Sequence, residues 1–425
     1  MTPLVLWLRR IVAVLALLAA IAAGLAACGL ALYIVPTWTA RIGIIAASGV
    51  AALAVVAWIG FWIDARLWRV QRRARFATWV SGLLTIVFAG ALYDVVLLPT
   101  SLSHQLPVPR TNTEYWTLRT GSRIAYSEYD PPPGVAVRPE PIVFLHGGPG
   151  VFTFDVDHAF YRQFAADGFR VYLFDQAGSG LSDYLPHARD YTIERSMADL
   201  EAIREQIGAA KLILVGHSFG STLAANYMAR YPEHVAKVVF HSPGPIWNPD
   251  IAVDYSRTAA GPRASAPLRL VAAALLFERN PAAAENLLPQ GEAADIGAKL
   301  LDPGAVVCKG VPAHVSVPPG LAFYPLVAIL RTLGGPRGDP HHLLRANRTP
   351  AIVVYSECDF LGWPNVLDYR HTLPNLKVYY FPGAGHYIQL MQPERLARVM
   401  RAFLLNQPDT IGPYTKESDP HLQRP

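Results

Sequence analysis

Residues 211–225, KLILVGHSFGSTLAA, place a serine between two glycines where an apolar run gives way to a helical pattern. The apolar run predicts a buried strand, and the residues after Gly220 predict a helix. A tight joint between these elements puts Ser218 in a strained turn, and Gly216 and Gly220 let strand and helix pass without Cβ clashes. The helix N-terminus would also favour negative charge developing at the serine. We therefore interpret Ser218 as a nucleophile rather than as an ordinary turn residue.

A serine nucleophile requires a base and an acid that orients it. In α/β sheets with this type of turn the chain order is serine, acid, histidine. The strand-like residues 350–355 lead into Asp359, and residues 377–381 lead into His386. Both loops should leave the same sheet edge as the serine, so we predict Asp359 as the orienting acid and His386 as the base. Glu357 is an alternative acid, since two positions along a loop can change which side chain points inward.

A glycine-rich stretch, HGGPG at residues 146–150, follows another short apolar strand. Glycines there let backbone N–H groups approach a substrate oxygen. We predict an oxyanion hole formed by the N–H groups of Gly148 and Phe219, with His146 bracing the loop. A phosphate-binding loop is the alternative, but the Gly-Lys-Ser/Thr of that motif does not follow.

Strands alternate with helical stretches through residues 106–246, beginning with a hairpin at 114–129, and resume in residues 348–410. This alternation predicts one α/β domain, a mostly parallel sheet with helices on both faces. Residues 247–347 are rich in helix formers and predict a helical cap over the carboxyl edge of the sheet, where ligands bind. Residues 411–425 are predicted to be a C-terminal tail.

Three apolar runs occupy the first quarter of the chain, at residues 11–35, 42–63 and 77–98. Each approaches or exceeds the ~20 residues that a helix needs to cross a bilayer. Buried core helices are the alternative, but three consecutive runs almost free of charge disfavour it. We predict a membrane anchor of three transmembrane helices over residues 1–105, and a proline-rich linker at 98–113 after the last apolar run.

The arginines indicate orientation, because positively charged loops stay in the cytoplasm. Arg9 and Arg10 precede the first run, Arg41 lies in the first loop, and five arginines crowd the second loop: Arg66, Arg69, Arg72, Arg73 and Arg75. We predict a multi-pass protein of a bacterial inner membrane or plasma membrane, with its C-terminal domain outside the cytoplasm. The anchor holds a net charge of +6, so the rest has 5 − 6 = −1, which argues against nucleic-acid binding.

The three cysteines leave two questions open. Cys28 follows Leu-Ala-Ala, like a lipoprotein cleavage box, but the chain stays apolar beyond it and favours a small-residue face in a transmembrane helix. Cys308 and Cys358 could form a disulfide in an oxidising compartment or remain buried free thiols, since sequence does not give their separation.

Four motifs together resemble the proline iminopeptidase-like branch of the α/β-hydrolases, over about residues 114–405. They are HGGPG at 146–150, DQAGSGLS at 175–182, the Ser218 turn and Gly385-His386. The resemblance implies an α/β-hydrolase fold with a helical cap, and a serine peptidase that releases N-terminal residues, often proline, from short peptides. Cap carboxylates in that family hold the substrate ammonium, and Phe277-Glu278 is similar to the pair that supplies one. Glu278 is thus a predicted substrate-binding residue, or else a solvated surface glutamate.

Three positions depart from the family pattern. Ala177 stands where arginine is usual, Phe219 where tryptophan follows the serine, and His217 where glycine precedes it. Gly-His-Ser-x-Gly is common in esterases and lipases of the same fold.

The sequence therefore predicts a membrane-anchored serine hydrolase, an aminopeptidase acting through an acyl-enzyme on Ser218 without metal or cofactor. Its expected partners are a small peptide or ester substrate and the lipid bilayer; we expect no nucleic acid, and nothing indicates a protein partner. A carboxylesterase acting on lipid-like or small esters is the alternative. A non-catalytic receptor or scaffold is disfavoured by triad residues in the correct order.

Overall fold

The computed structural model describes residues 3–68, 70–99, 107–247, 253–261, 265–300, 302–311, 321–335 and 338–420. The chain divides into two compact units. The first unit comprises Met1–Ser101 and Ala266–Glu292, and the second comprises Leu102–Ser265 and Ala293–Pro425. The predicted cap is thus shared between the units, because its residues 266–292 pack against the N-terminal helices. Residues 100–106 of the predicted linker lie outside the described residues.

The first unit is helical. Its helices are α1 (Pro3–Ile34), α2 (Ile42–Leu67), α3 (Arg73–Leu92), α7 (Leu268–Arg279) and α8 (Pro281–Leu287). Three segments are long and apolar enough to cross a membrane: Pro3–Thr37, Ile42–Arg66 and Arg73–Leu97, with mean hydropathies of 2.7, 2.4 and 2.0. Small residues bring these helices together, since a Cβ added to Gly60 would lie 2.5 Å from the Cβ of Ala20.

Among the described residues, the second unit contains eight strands and the other helices. The strands are β1 (Thr113–Thr117), β2 (Arg123–Tyr129), β3 (Ile142–Leu145), β4 (Val171–Phe174), β5 (Leu212–His217), β6 (Val235–His241), β7 (Ala351–Cys358) and β8 (Lys377–Gly385). The helices are α4 (Asp155–Tyr161), α5 (Ile193–Ile207), α6 (Phe219–Arg230), α9 (Gln290–Leu300, beginning in the first unit), α10 (Phe323–Thr332), α11 (His341–Ala346), α12 (Trp363–Thr372), α13 (Ile388–Met391) and α14 (Pro393–Leu404).

The strands form one sheet in the order β1-β2-β4-β3-β5-β6-β7-β8. β1 pairs antiparallel with β2, and β2 with β4, while every pair from β4 onward is parallel. The predicted hairpin and mostly parallel sheet are confirmed. β3, β4 and β5 are buried throughout, as expected of central parallel strands covered on both faces.

Two strands run further than the sequence predicts. β7 continues to Cys358 and β8 to Gly385, where Cys358 pairs with Gly385 beyond a register shift. Asp359 and His386 therefore directly follow the last residues of two neighbouring parallel strands, at the carboxyl edge of the sheet.

The C-terminal tail packs against α12. Arg370 donates hydrogen bonds to the Tyr414 and Lys416 carbonyls, and the Trp363 indole donates to the Glu417 carbonyl at 2.9 Å.

Candidate active site

The serine turn has the strained backbone that its sequence predicts. Ser218 is buried, with φ 55° and ψ −120°, directly before α6. A Cβ on Gly216 would lie 2.3 Å from the Gly220 oxygen, and one on Gly220 would lie 1.9 Å from the Leu145 oxygen. Only glycine fits at both positions, because strand and helix cross without room for a side chain.

The structure brings Asp359 and His386 together. His386 Nδ1 donates to Asp359 Oδ1 at 2.7 Å, and both residues are buried. The same oxygen accepts the Leu361 N–H at 3.0 Å, which fixes the carboxylate. With Nδ1 as the donor, Nε2 is the nitrogen available to accept a proton. The alternative acid, Glu357, instead accepts the Gly383 N–H at 2.6 Å.

His217 connects the serine turn to this pair. Its Nε2 donates to the His386 carbonyl at 3.1 Å, and the two ring centroids are 4.6 Å apart. His386 thus lies beside the residue that immediately precedes Ser218. Burial, followed by the nearby His386 and His241, holds the pKa of His217 well below its usual value. His217 is therefore a neutral bracing group at neutral pH.

His241 and two aromatic side chains complete the surroundings of His386. Burial lowers the pKa of His241 to about 3, and its Nδ1 contacts the Tyr161 hydroxyl at 3.1 Å. The Phe360 ring is 4.4 Å from the His386 ring, and the Tyr387 ring is 4.5 Å from the His217 ring. These three neighbours are not among the residues predicted from the sequence. Phe360 and Tyr387 directly follow Asp359 and His386, and that position could have identified them. No sequence signal identifies His241, which is the last residue of β6.

The glycine-rich loop lies against the serine. A Cβ on Gly147 would lie 2.9 Å from the Cβ of Ser218. His146 braces this loop as expected: its Nε2 accepts the Gln176 N–H at 2.8 Å, and its Nδ1 contacts the Gly147 carbonyl at 2.9 Å. Burial lowers the pKa of His146, which keeps the ring neutral and able to accept.

The two predicted oxyanion donors lie on the segments that meet at Ser218. Gly148 has φ 114°, a conformation that L side chains rarely adopt, and it follows Gly147 directly. Phe219 is the first residue of α6, so its N–H is one of the four that have no acceptor within a helix. Their role in binding an oxyanion remains a prediction.

The DQAGSGLS motif has a structural explanation. Asp175 accepts from the Thr153 N–H at 2.9 Å, the Thr153 hydroxyl at 2.8 Å and the Leu181 N–H at 3.0 Å. A Cβ on Gly180 would lie 2.2 Å from Asp175 Oδ2. The motif therefore ties the loop after β4 to the segment that follows the glycine-rich loop.

Residues of the insertion lie directly on the loops that carry Asp359 and His386. Val253 forms a bridge with Leu361, and the Asp254 N–H donates to the Phe360 carbonyl at 2.8 Å. A Cβ on Gly385 would lie 2.2 Å from the Val306 oxygen.

A disulfide joins Cys308 to Cys358, the residue before Asp359, which resolves the open cysteine question. On the other side of the site, the Ala322 N–H donates to the Gly150 carbonyl at 2.7 Å. Segments of the insertion thus touch three loops at the sheet edge.

Glu278 and the residues of the candidate active site belong to different units. It is an exposed residue of α7 in the first unit, whereas Ser218, Asp359 and His386 belong to the second. Its predicted contact with a substrate ammonium stays a prediction. Among the residues that the structure describes, no group of three His, Cys, Asp or Glu side chains could hold a metal ion.

The chain is similar in sequence to known proteins. Residues 140–281 match the family model described as the alpha/beta hydrolase fold. A proline iminopeptidase of Neisseria gonorrhoeae is 38% identical over 28% of this chain and 35% of its own, so the chain spans about a third of that relative's length. A proline iminopeptidase of Xylella fastidiosa is 29% identical over 62% of this chain and 87% of its own. The solved proline iminopeptidase of Mycobacterium smegmatis is 22% identical, covering 69% of this chain and 98% of its own, with a TM-score of 0.44.

Sheet order, serine turn and family model together show the α/β-hydrolase fold. Among proteins of that fold, the chain is similar in sequence to proline iminopeptidases.

Proposed function

We propose that this protein is a membrane-anchored serine hydrolase that releases N-terminal residues from short peptides through an acyl-enzyme on Ser218. The observation that carries the proposal is the strained Ser218 turn beside the buried, hydrogen-bonded pair of His386 and Asp359. Similarity to proline iminopeptidases supports the peptidase assignment.

In the proposed first step, His386 Nε2 takes the Ser218 hydroxyl proton while Oγ attacks the substrate carbonyl carbon. The N–H groups of Gly148 and Phe219 hold the oxyanion that forms. His386 then protonates the leaving amine, the C–N bond breaks, and an ester remains on Ser218. Water, deprotonated by His386, hydrolyses this ester and regenerates the serine. Asp359 keeps the histidine in the required tautomer throughout.

A free amino terminus would need a charged partner once it is removed from water, and Glu278 is the proposed one. A carboxylesterase is the second candidate, because Phe360 places an apolar ring against His386 and Gly-His-Ser-x-Gly is common in esterases. An ester substrate would not require an ammonium partner. The two candidates therefore differ in their need for a free amine.

The test is turnover of proline p-nitroanilide, its N-acetyl derivative and p-nitrophenyl butyrate by the full chain in detergent. We expect the free anilide to be cleaved, and Ser218→Ala to abolish both turnover and fluorophosphonate labelling. Ser196→Ala, on α5, is the control and should keep both. Turnover of the ester alone would replace the aminopeptidase with the esterase, and labelling that survives Ser218→Ala would overturn the nucleophile assignment.

We also propose that the three apolar helices span a membrane and place the second unit outside the cytoplasm. The arginine distribution supports this orientation. The Cys308–Cys358 disulfide supports it as well, since disulfides persist in oxidising compartments. A reporter fused after Pro425 should be active outside the cytoplasm, and activity only inside would reverse the proposed topology.

A further inference from the structure

Helix α7 of the first unit is apolar on two faces. One face packs inside the unit and holds Leu270, Ala273 and Phe277. The other is open: Leu268, Val271 and Leu275 are 59%, 39% and 67% exposed. Their spacing of three and four residues aligns them along one side of the helix. Apolar side chains on two faces of one helix are typical of a helix that is covered by protein or by a membrane.

Both ends of α7 are fixed to the ends of apolar segments. Near its start, Arg269 Nη1 donates to the Val96 and Leu97 carbonyls at 2.7 Å and 3.0 Å. At its last residue, the Arg279 guanidinium lies 3.5 Å from the centroid of the Tyr33 ring. α7 therefore extends from the end of the third apolar segment to the end of the first.

These attachments lie at the level of exposed aromatic residues. Tyr33, Trp38 and Tyr93 are all exposed and all lie at the ends of apolar segments predicted to face outside. Aromatic side chains of this kind sit at the headgroup level of a bilayer. Tyr33 is itself one attachment point, and Val96 lies three residues beyond Tyr93. The attachments thus place α7 at headgroup depth.

Charge on α7 is consistent with a bilayer as the covering partner. Arg269 is buried and forms a two-point pair with Glu292, with Nε···Oε1 2.7 Å and Nη2···Oε2 2.9 Å. The exposed charged residues of α7, Glu278 and Arg279, lie at its end, beyond Leu268, Val271 and Leu275.

We infer that α7 is an interfacial helix whose Leu268, Val271 and Leu275 side chains contact the outer leaflet of the bilayer. The inference rests on the proposed membrane anchor and goes beyond it. The anchor does more than tether: it holds one part of the insertion between β6 and β7 at the membrane surface. Burial of the apolar face below the headgroups stabilises that placement.

The test is nitroxide spin labelling of the full chain in phosphatidylcholine vesicles. Cys28→Ala removes the one cysteine outside the disulfide. Leu275→Cys is then labelled, with Val271→Cys as a second probe should the first not fold. We expect the label to collide more often with oxygen than with a water-soluble nickel chelate. The ratio of oxygen collisions to nickel collisions should be severalfold higher than for a label at Leu343. Leu343 is a similarly exposed leucine, on α11 of the second unit.

A label at Leu83, exposed in the middle of α3, reports on the anchor itself. Lipid contact at Leu83 and water contact at Leu275 would overturn the interfacial helix and leave the anchor intact. Water contact at Leu83 would overturn both. Shielding of Leu275 from both oxygen and nickel would mean that protein covers this face, and would also overturn the inference.

Discussion

The two parts of the insertion between β6 and β7 are held in different ways. Residues 253–261 and 302–311 are held in the second unit by backbone contacts and the Cys308–Cys358 disulfide, next to Asp359. Residues 266–292 belong to the first unit and are held by side chains. The insertion is thus not one lid but two elements with separate supports.

Side-chain amide and guanidinium groups support the second element by donating hydrogen bonds to backbone carbonyls. Asn280 donates to the Pro36 carbonyl and Asn286 to the Ala40 carbonyl, each at 2.9 Å. These carbonyls lie just beyond α1, where helix ends leave oxygens without partners. Backbone pairing tolerates most substitutions, whereas side-chain supports can be removed one at a time. Point mutations of these side chains should therefore loosen the second element without loosening the first.

The largest effect is expected from Arg269→Ala. The change removes the two-point ion pair with the half-buried Glu292 and the donors to the Val96 and Leu97 carbonyls. Breaking a buried ion pair costs about 3–5 kcal/mol. Hydrogen exchange in detergent should show α7 amides losing protection by that amount.

Arg279→Ala is the matched control, because it removes an exposed arginine from the same helix. It should cost less than about 1 kcal/mol. If Arg269→Ala raises hydrogen exchange in β7 and α14 as much as in α7, the two units do not unfold independently. The distinction between the two elements would then be wrong.

Removal of the disulfide is the corresponding change in the second unit. Cys308→Ser with Cys358→Ser should lower the free energy of unfolding by about 2–4 kcal/mol, since the cross-link closes a long loop. Because Cys358 precedes Asp359, turnover should fall as well. Thermal unfolding and turnover in detergent measure the two effects.

Cys28→Ala is the control, since this cysteine is outside the disulfide. It should leave turnover unchanged. Unchanged stability and turnover in the double serine variant would mean that backbone contacts alone hold the first element on the site.

The site was predictable where its chemistry depends on local sequence. Gly216 and Gly220 flank Ser218 for steric reasons that act within a few residues, and Asp359 and His386 follow from the order of strands. The ends of β7 and β8 were not predictable, since pairing between Cys358 and Gly385 depends on a register shift.

The division of the insertion could not be read from the sequence. Arg269 finds its carbonyl partners more than 170 positions away, and no periodicity reports a side chain on a distant helix end. Cysteine spacing likewise left the disulfide open, because a separation of 50 residues does not fix a distance.

Acid should destabilise the second unit first, because the first unit contains no histidine. Burial lowers the pKa of both His158 and His241 to about 3. Below pH 6.5 the unfolded chain binds protons at these two sites that the folded chain does not, so the contribution of the two histidines to stability is complete above pH 6.5 and falls toward pH 3. Each group contributes up to ~1.4 kcal/mol per pH unit in this window.

His241→Gln removes one of these titrations. Between pH 6.5 and 5.5, the decrease in the free energy of unfolding should be smaller in the variant than in the wild type, by up to ~1.4 kcal/mol. The readout is the difference in pH dependence, so any constant cost of the substitution cancels. Equal slopes for the two proteins would show that His241 takes up its proton to the same extent in the folded and unfolded states.

The smallest effect is expected from Asn286→Ala, which removes one exposed amide from the Ala40 carbonyl. A hydrogen bond of this kind contributes about 0.5–1.5 kcal/mol, and exposure to water places it at the lower end. Asn347→Ala is the corresponding change in the second unit, where that amide donates to the Met228 carbonyl at 3.2 Å and accepts the Thr349 N–H at 2.7 Å. Hydrogen exchange should rise in α8 for the first variant and in α6 for the second. Because each bond joins segments of one unit only, a change in the other unit's exchange would show that the two units are coupled.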